Sequence, residues 1–392
     1  MLVPIGYSLR SLFVRRSATV LTVLGIAATV AVLAGVVALQ QGFATLFSGS
    51  GREDIVVFLR PGANAEGESQ FTRDRAQIIV KGTPEIALDA SGRPLASMEV
   101  FSAVRLPRFD DVDGTKVTNV PARGVEPMSY AIQEGAVRLL QGRWPEPGAD
   151  EVAVGRRIQS RIKDCDVDDV VQINLAPMRV VGVFESDGPY DSEIWGDLDR
   201  MLDALNRPAP NRVIAKLTDD ADVAALALRL ESDPQVPAKV RTERDYLSAQ
   251  TALLSALLLL LGSFMALVMG IAAVFTATNT MLSAVAARTH EIGILLSIGY
   301  RPFPIFLSFI LEALVIGLLG GVVGALIVLP LNGMETGTTN FQTFTEVGFA
   351  FRITPAVLST AVMFSLLLGL IGGAWPAFQA ARMKPTEALR RG

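Results

Sequence analysis

Four long apolar segments constrain this chain more than any other feature of its sequence. Three of them contain no charged residue, and the remaining one contains only Glu312. A helix of about 20 apolar residues crosses the hydrocarbon core of a membrane, because a helix satisfies its own backbone hydrogen bonds there. The sequence therefore predicts an α-helical integral membrane protein with four transmembrane helices. These helices are placed at residues 18–42, 251–280, 304–331 and 355–377.

The composition of the chain excludes several classes of protein. Hydrophobic residues make up 50% of the 392 residues and charged residues 19%, whereas a soluble chain averages about 25% charged residues. The formal net charge of -4 gives no reason to expect nucleic-acid binding. Cys165 and His290 are the single residues of their types, which excludes an internal disulfide, a multi-cysteine metal site and a histidine cluster. We expect neither a catalytic residue nor a metal site in this chain.

The distribution of Lys and Arg predicts the orientation of the helices, since these residues are retained on the cytoplasmic side. Nine of them flank the apolar segments on one side: Arg10, Arg15, Arg16, Arg288, Arg301, Arg382, Lys384, Arg390 and Arg391. The opposite short loop, at residues 332–354, carries only Arg352. We therefore expect a multi-pass protein of the bacterial cytoplasmic (inner) membrane with both termini in the cytoplasm. Its cytoplasmic parts are then residues 1–17, 281–303 and 378–392.

The first apolar segment is expected to remain in the protein as an anchor. Its length exceeds the about 7 to 15 apolar residues of a secretory signal peptide. Its removal would also leave an odd number of transmembrane helices, which disagrees with two cytoplasmic termini.

Residues 43–250 are expected to form a large domain outside the cytoplasm. They hold 25 of the 35 basic residues, so this part of the chain is water-soluble. Short β-branched runs bounded by turn residues predict strands, and apolar residues at helical spacing predict helices. The predicted elements are strands at 54–59, 170–175, 179–184 and 212–217, and helices at 197–206 and 221–231. The simplest fold for these elements is an extracytoplasmic α+β domain between the first and second transmembrane helices.

No lysine of this chain can belong to a Walker A phosphate loop. That loop has the pattern G-x-x-x-x-G-K-[ST], in which a glycine precedes the lysine. None of the six lysines follows a glycine. We therefore expect this chain to bind no cofactor; if ATP is used, another polypeptide binds it.

Two acidic clusters resemble parts of a calcium-binding loop. The cluster at residues 110–114 has Phe109 and Val120 at two positions that require ligands. The cluster at residues 164–169 has Leu175 where the bidentate glutamate is required. We interpret both clusters as solvated turns that lead into strands.

Glu312 lies well inside a predicted transmembrane helix. An acid in hydrocarbon is costly unless it is paired or faces protein. We interpret Glu312 as a structural or coupling residue, neutralised by a neighbouring helix or by Arg288, in preference to a proton carrier. The same helix carries small residues whose spacing allows another helix to approach closely: Gly317, Gly320, Gly321 and Gly324. Packing within the chain and dimerisation both explain these glycines.

Two motifs in the transmembrane part resemble a known family. The first runs from Asn279 through Arg288-Thr289-His290-Glu291-Ile292-Gly293 to Gly299 and precedes Glu312-Ala313. The second runs from Pro376 through Ala381 to Ala388-Leu389-Arg390. In these motifs, and in the order of one helix, a large outside domain and three helices, the chain resembles the macrolide-exporter-type (MacB/FtsX-like, type VII) ABC transporter permeases.

The resemblance implies a role for the segment between the second and third helices. From its residues alone, the stretch 285–300 can form a short amphipathic helix at the membrane surface that docks on a partner. We expect Arg288 and Glu291 to be exposed in this helix, and the following residues to be available for burial: Ile292, Leu295, Leu296 and Ile298. The resemblance makes the partner an ATPase subunit and makes this the coupling helix, with these coupling residues: Arg288, Thr289, Glu291, Ile292, Gly293 and Gly299. A plain amphipathic linker on the lipid headgroups is the alternative.

The resemblance also implies an assembly of several subunits. Two copies of this permease, or one copy with a related permease, would carry two ATPase subunits that bind ATP and Mg²⁺. ATP-driven closure of those subunits would move the outside domain through stalks at residues 41–50 and 241–252, a mechanism called mechanotransmission. The expected cargo is a lipoprotein, a lipid, a peptide or a hydrophobic drug. A periplasmic adaptor and an outer-membrane channel are further expected partners, besides membrane lipid.

Two other classes of function fit parts of the sequence. An FtsX-like regulatory module would use the same transmembrane motifs to control an extracytoplasmic hydrolase or a sensor. A membrane-anchored enzyme would need a catalytic site in residues 43–250, which contain no histidine and only Cys165. The acids around Cys165 are expected to raise the pKa of its thiol and so to suppress the reactive thiolate.

Overall fold

The computed structural model of the protein describes residues 16–48, 51–109, 117–186, 188–340 and 345–384. Some predictions lie outside these residues. They concern Arg10 and Arg15, the acidic cluster at 110–113 and the end of the closing motif at 385–390.

The described residues form long helices at the two ends of the chain and short helices between them. The helices are α1 (Arg16–Ser48), α2 (Arg73–Gly82), α3 (Met128–Ile132), α4 (Arg156–Gln159), α5 (Leu198–Ala204), α6 (Val223–Glu231), α7 (Glu243–Ala287), α8 (Thr289–Ser297), α9 (Pro302–Val328) and α10 (Pro355–Ala381). The strands are β1 (Ile55–Leu59), β2 (Ala96–Pro107), β3 (Val117–Val125), β4 (Val137–Gly142), β5 (Glu151–Gly155), β6 (Val170–Ile173), β7 (Ala176–Ser186), β8 (Ile194–Asp197), β9 (Arg212–Lys216), β10 (Lys239–Thr242), β11 (Glu335–Asn340) and β12 (Thr345–Ala350).

Four of the helical segments in the described part of the chain are long and apolar enough to cross a membrane. They are Arg16–Thr45, Leu254–Ala287, Pro302–Leu331 and Pro355–Ala381. The predicted fold class of four transmembrane helices, with a large α+β domain after the first, is confirmed. Helices α1 and α7 continue beyond their apolar windows, because helix formation depends on backbone hydrogen bonds and not on hydropathy.

The first compact unit comprises residues 1–42, 255–334 and 350–392. Its described helices bury an apolar cluster that draws on α1, α7, α9 and α10. Ile26 and Val30 of α1, Phe309 of α9 and Leu368 of α10 belong to this cluster. Many other apolar side chains of the same helices are exposed, as expected for helices that face lipid.

The second compact unit comprises residues 43–254 and 335–349 and contains a ten-stranded sheet. The strand order is β10-β1-β9-β2-β3-β8-β5-β7-β4, and β6 pairs with β7. Neighbouring strands are antiparallel except in the pairs β3–β8 and β5–β7. All five side chains of β1 are buried, because both faces of the sheet are covered at this strand. Strands β11 and β12 form a separate two-stranded sheet.

The short helices of the outside domain begin at side chains that cap them. Asp222 precedes α6, and its carboxylate accepts hydrogen bonds from the backbone N–H groups of Ala224 and Ala225. Asp197 precedes α5 and accepts from the N–H of Arg200 in the same way. Such caps satisfy N–H groups that have no partner inside the helix. The caps explain why the apolar spacing at 197–206 and 221–231 becomes helix at these points.

The sequence predicts part of this sheet and misses part of it. The strands predicted at 54–59, 170–175, 179–184 and 212–217 correspond to β1, β6, β7 and β9. The two predicted helices correspond to α5 and α6. Strands β2 and β3 were not predicted, because charged residues such as Glu99 and Arg123 interrupt their apolar runs. Those charges are buried, and they belong to the site described next.

Candidate functional site

The segment that joins α7 to α9 holds the predicted coupling residues. Helix α7 ends at Ala287, and Arg288 leaves the helical conformation with φ −113° and ψ 12°. The chain resumes as α8 at Thr289, whose hydroxyl donates a hydrogen bond to the carbonyl of Ala286 at 2.9 Å. Arg288 therefore separates a long transmembrane helix from a short helix of nine residues.

A glycine ends α8 and reverses the chain towards α9. Gly299 has a φ of +93°, which a residue with a Cβ adopts only with strain. The N–H of Gly299 donates to the carbonyl of Leu296, and the N–H of Tyr300 donates to that of Leu295. This pair of bonds is the Schellman cap that closes many helices. Gly299 is thus required for the backbone turn between the two helices, and the next helix starts at Pro302, which fits a first helical position.

Helix α8 is held on one face and exposed on the other. Ile292 and Gly293 are buried, whereas Glu291 is exposed. Ile294 is 40% exposed and Ile298 is 72% exposed, although both are large and apolar. The short helix expected at 285–300 is present over Thr289–Ser297. Ile298, which is expected to be available for burial against a partner or the membrane, is exposed within this chain.

Arg288 pairs with the intramembrane acid Glu312. The guanidinium lies 3.5 Å from the carboxylate, and the side chains are 17% and 5% exposed. The expectation of an exposed Arg288 is therefore wrong, because its guanidinium forms an ion pair with the buried Glu312 carboxylate. Burial of Glu312 without a cation would be costly, so the pairing gives both residues a structural reason for their positions.

The glycines of α9 are contact points with other helices of the same chain. A Cβ on Gly320 would lie 2.6 Å from Cγ2 of Ile26 in α1, and one on Gly324 would lie 2.7 Å from the carbonyl oxygen of Ala27. On the side that faces α10, a Cβ on Gly317 would lie 2.7 Å from the carbonyl oxygen of Ser365. A Cβ on Gly321 would overlap the hydroxyl of Ser365. Packing within the chain therefore accounts for all four glycines.

A second site, which the sequence did not predict, is a network of buried charges in the outside domain. Arg123 of β3 is its centre, and it binds three carboxylates. Its Nη1 lies 2.6 Å from Glu66 and 3.1 Å from Glu99, and its Nε lies 2.7 Å from Glu193. Each of these four side chains is at most 7% exposed. The network is therefore a cluster of guanidinium and carboxyl groups that is shielded from water.

Arg212 of β9 completes the network from the neighbouring side. Its Nη1 donates to Glu66 at 2.9 Å, and its Nε donates to Glu99 at 2.8 Å. Its Nη2 also donates to the hydroxyl oxygen of Tyr190 at 3.3 Å. Burial raises the pKa of Glu66, but the opposing effect of Arg123 and Arg212 prevails, and the pKa of Glu66 is lowered. Glu66 is therefore ionised and bound by two guanidinium groups at neutral pH.

The first turn of α7 extends the network. Glu243 is buried, and its Oε1 accepts hydrogen bonds from Nε2 of Gln133 and from the hydroxyl of Tyr190, both at 2.7 Å. Its Oε2 accepts from the backbone N–H of Arg52 at 3.2 Å. Burial, followed by the charge of Glu243, raises the pKa of Tyr190 well above its ordinary value. Tyr190 therefore remains a hydrogen-bond donor at neutral pH.

Tyr246 makes a further connection one turn later in α7. Its hydroxyl donates to Oε1 of Glu66 at 3.1 Å and accepts from the backbone N–H of the same residue at 3.2 Å. Burial and the charge of Glu66 raise the pKa of Tyr246 well above its ordinary value. The signal that could have revealed this network is the presence of Glu99, Arg123 and Arg212 within or beside apolar runs.

Cys165 does not form part of either site. It is a buried free cysteine. Burial, followed by the charges of Asp164, Asp169 and Asp166, raises the pKa of its thiol to about 12. The predicted direction is confirmed, although burial contributes more than the acids. The thiol is therefore a poor nucleophile at neutral pH.

Two family models together match nearly the whole chain. The model described as MacB-like periplasmic core domain matches residues 19–233. The model described as FtsX-like permease C-terminal matches residues 246–385, which include the Arg288 segment and α9.

Several curated proteins are similar to this chain. One is the macrolide export ATP-binding/permease protein MacB of Pasteurella multocida, 26% identical over 97% of this chain and 59% of its own length. Another is the macrolide export ATP-binding/permease protein MacB 2 of Aeromonas hydrophila, 26% identical over 98% of this chain and 60% of its own length. The chain thus spans about three fifths of the length of these relatives.

Solved structures of similar outside domains also align with the chain. The periplasmic region of MacB from Actinobacillus actinomycetemcomitans aligns with 50% of this chain and 92% of its own, at 12% identity and a TM-score of 0.37. The extracellular domain of the transporter YknZ from Gram-positive bacteria aligns with 48% of this chain and 99% of its own, at 12% identity and a TM-score of 0.35.

Proposed function

Because the chain belongs to the family of MacB-like periplasmic core domains and continues into an FtsX-like permease C-terminal region, we propose that it is the permease subunit of an ABC transporter. It resides in the bacterial cytoplasmic membrane, with α8 in the cytoplasm and the sheet domain outside. The nine basic residues that flank the apolar segments support this orientation.

The observation that carries the proposal is the geometry of α8. A helix of nine residues is fixed at one end by the Arg288–Glu312 pair and at the other by the Gly299 cap. It exposes Glu291, Ile294 and Ile298. A short, well-anchored helix with exposed apolar side chains and an acid can dock in a groove on a partner. We propose that α8 is the coupling helix and that its partner is an ATPase subunit.

ATP is proposed to bind outside these 392 residues. The absence of a glycine before any of the six lysines supports this, since a Walker A loop needs that pair. The relatives are named ATP-binding/permease proteins, and this chain aligns with about three fifths of their length. The proposed assembly holds two ATP- and Mg²⁺-binding subunits and two permease copies.

The proposed action is movement of the outside domain by the transmembrane helices. Helix α7 runs without interruption from Glu243 to Ala287, immediately before Arg288 and α8. Displacement of α8 by its partner would therefore act on one end of a continuous helix whose other end lies in the outside domain. The cargo is proposed to be a lipoprotein, lipid, peptide or hydrophobic drug that is extracted or expelled on the outer side.

Site-specific crosslinking tests the docking of α8. Ile298→Cys places a reactive thiol on the exposed end of α8, and the native Cys165 does not compete because it is buried with a raised pKa. A thiol-specific photocrosslinker is attached to Ile298→Cys in membranes, and the adduct is identified by mass spectrometry. We expect the adduct to be a protein with a P-loop.

Leu175→Cys is the matched control, because Leu175 is 97% exposed in the outside domain. The same crosslinker at Leu175→Cys should not capture the P-loop protein. If Ile298→Cys yields only lipid adducts, α8 is a headgroup linker and the proposed function is wrong.

A further inference from the structure

The chain enters and leaves the sheet domain at one place. The segment before β1 lies against the first turn of α7, so closely that a Cβ on Gly51 would be 2.5 Å from the Cα of Arg244. The backbone N–H of Arg244 donates to the carbonyl of Arg52 at 3.3 Å, and the N–H of Arg52 donates to the Glu243 carboxylate at 3.2 Å. The two connections are therefore held to each other.

Glu243 also joins this contact to two other parts of the domain. Gln133, just after α3, and Tyr190, in a short 3₁₀ helix before β8, both donate to the same carboxylate oxygen at 2.7 Å. The carboxylate lies in the first turn of α7, where the helix dipole favours a negative charge. One buried side chain therefore connects the start of a long helix to three separate segments of the domain.

Tyr246 joins the same helix to the centre of the sheet. Its hydroxyl binds Glu66, and Glu66 is bound by Arg123 of β3 and Arg212 of β9. Strands β9, β2 and β3 are consecutive in the sheet, and β8 follows them. A displacement of this turn of α7 must therefore either move these strands or break buried hydrogen bonds.

Glu243 and Tyr246, together called the joint, connect α7 to the sheet domain through hydrogen bonds that can transmit movement. Apolar side chains can slide past one another at little cost, whereas hydrogen bonds to a carboxylate are directional. Buried charges that lose a partner are strongly destabilised, so such clusters favour one arrangement over others. A joint made of Glu243 and Tyr246 therefore holds the helix in one orientation relative to the sheet.

We infer that Glu243 and Tyr246 are positioning residues that couple the movement of α7 to the outside domain. The inference rests on the proposed function, in which α7 is moved by the ATPase through α8. It assigns the coupling to the buried carboxylate and the buried hydroxyl of one helical turn.

The inference is tested in the whole complex, purified from membranes with its ATPase. Leu175→Cys carries a spin label on each permease copy, and the distance between the labels is measured without nucleotide and with ADP and vanadate. Tyr246→Phe and Glu243→Gln are expected to lose most of the nucleotide-dependent change in distance. ATP hydrolysis and assembly of the complex should remain at the wild-type level, because α8 is untouched.

Two matched variants control for the chemical change itself. Asp245→Asn makes the same acid-to-amide change on an exposed residue of the same helical turn. Tyr130→Phe removes the hydroxyl of a half-buried tyrosine outside the network. Both should retain the wild-type change in distance. Tyr246→Phe leaves Glu66 bound to both arginines, so the domain stays folded, which thermal unfolding of the complex verifies.

A steric variant tests the joint without altering any charge. Gly51→Ala forces the entering segment away from α7, because its Cβ would overlap backbone atoms of Arg244. Gly67→Ala is its control, since a Cβ at exposed Gly67 would lie more than 4 Å from every atom in the part of the chain that the structure describes. Gly51→Ala should also reduce the change in distance, and Gly67→Ala should not.

The outcomes separate the inference from the function on which it rests. If the wild-type complex shows no nucleotide-dependent change, the proposed function fails and the inference fails with it. Alternatively, nucleotide changes the distance between the labels in the wild type and by the same amount in Tyr246→Phe, Glu243→Gln and Gly51→Ala. In that case the proposed function stands and the inference is overturned.

Discussion

The position of Glu312 inside an apolar helix is explained by a partner elsewhere in the chain. It is an acid in an apolar helix, and its side chain is 5% exposed. Arg288, which is 24 residues earlier, lies 3.5 Å from it. Arg288, which directly precedes α8, is therefore also the counter-ion of Glu312 in α9. A change at either residue affects both the stability of the protein and the placement of α8.

Removal of Arg288 should destabilise the protein because the buried Glu312 carboxylate loses its ion pair with this guanidinium. For Arg288→Met we expect a loss of about 3 kcal/mol in the free energy of unfolding. The double variant Arg288→Met with Glu312→Leu should recover most of this loss, since an apolar pair needs no counter-ion. The measurement is unfolding in mixed detergent micelles of the wild type, both single variants and the double variant. Additive effects would show that the two residues do not interact.

Acid sensitivity of the outside domain should depend on Arg143. Arg143 binds both carboxylate oxygens of Glu151, at 2.7 and 2.6 Å. This contact is the largest of those that lower the pKa of Glu151 from 4.5 to about 2, ahead of the Glu146 N–H and Arg179. A lowered pKa stabilises the folded state above the unfolded-state pKa, and this stability is lost as the pH falls from about 4.5 to about 2. Arg143→Met should therefore start acid unfolding at a higher pH.

Tryptophan fluorescence during acid titration measures this effect, because Trp144 and Trp195 lie in the outside domain. Arg138→Met is the control, since Arg138 is 66% exposed and lies 3.7 Å from Glu185. An identical acid midpoint for Arg143→Met and the wild type would contradict the assigned role of Arg143.

At the scale of the element, the packing of α9 depends on glycines, which have no Cβ. Its glycines permit backbone contact with α1 on one side and with α10 on the other, because no Cβ separates the helices. Sequence spacing identified these glycines but left packing within the chain and dimerisation open. Contacts such as that of Gly320 with Ile26 favour packing within the chain.

Gly320→Ala should disturb this packing. Its Cβ would lie 2.6 Å from Ile26, and we expect a destabilisation of about 1 to 3 kcal/mol from overpacking. Gly35→Ala in α1 is the matched control, because a Cβ there would have no atom of the described residues within 4 Å. Thermal unfolding in detergent should separate the two variants. Equal stability of both would mean that α9 does not require a glycine at this contact.

The strands differ in how far their own residues predict them. The run at 54–59 was recognised because apolar, β-branched residues alone make it a buried strand, and it became β1. Strand β2 was missed because Glu99 interrupts the apolar run. The charge is compensated by Arg123 and Arg212, which lie on other strands. Local patterns cannot reveal this compensation.

At the scale of the whole molecule, one helix contributes residues to both compact units, the membrane unit and the outside unit. Helix α7 belongs to both, since it begins at Glu243 in the outside unit and ends at Ala287 in the membrane unit. The same helix carries the buried joint at one end and adjoins α8 at the other. The proposed mechanism requires this continuity, because a flexible linker would absorb the movement.

Purification of the tagged chain from membranes in mild detergent tests the assembly. We expect a stoichiometric partner with a P-loop, and ATP hydrolysis that is abolished by changing the P-loop lysine of that partner. Lys216→Met in this chain is the control and should leave hydrolysis unchanged, since Lys216 lies on β9 in the outside domain. The absence of a P-loop partner, across several detergents and with a crosslinker, would contradict the assignment as a transporter subunit.

The sequence by itself determined the four transmembrane helices, the α+β domain after the first and the position of α8. These features depend on transfer free energies and backbone preferences of neighbouring residues, which a local pattern records. Only the tertiary structure decided that Arg288 neutralises Glu312, and that Glu243 and Tyr246 join a network of buried charges. Glu66 and Arg212 are separated by 146 residues in that network. Whether a buried charge is satisfied depends on such distant partners, and the folded chain alone brings them together.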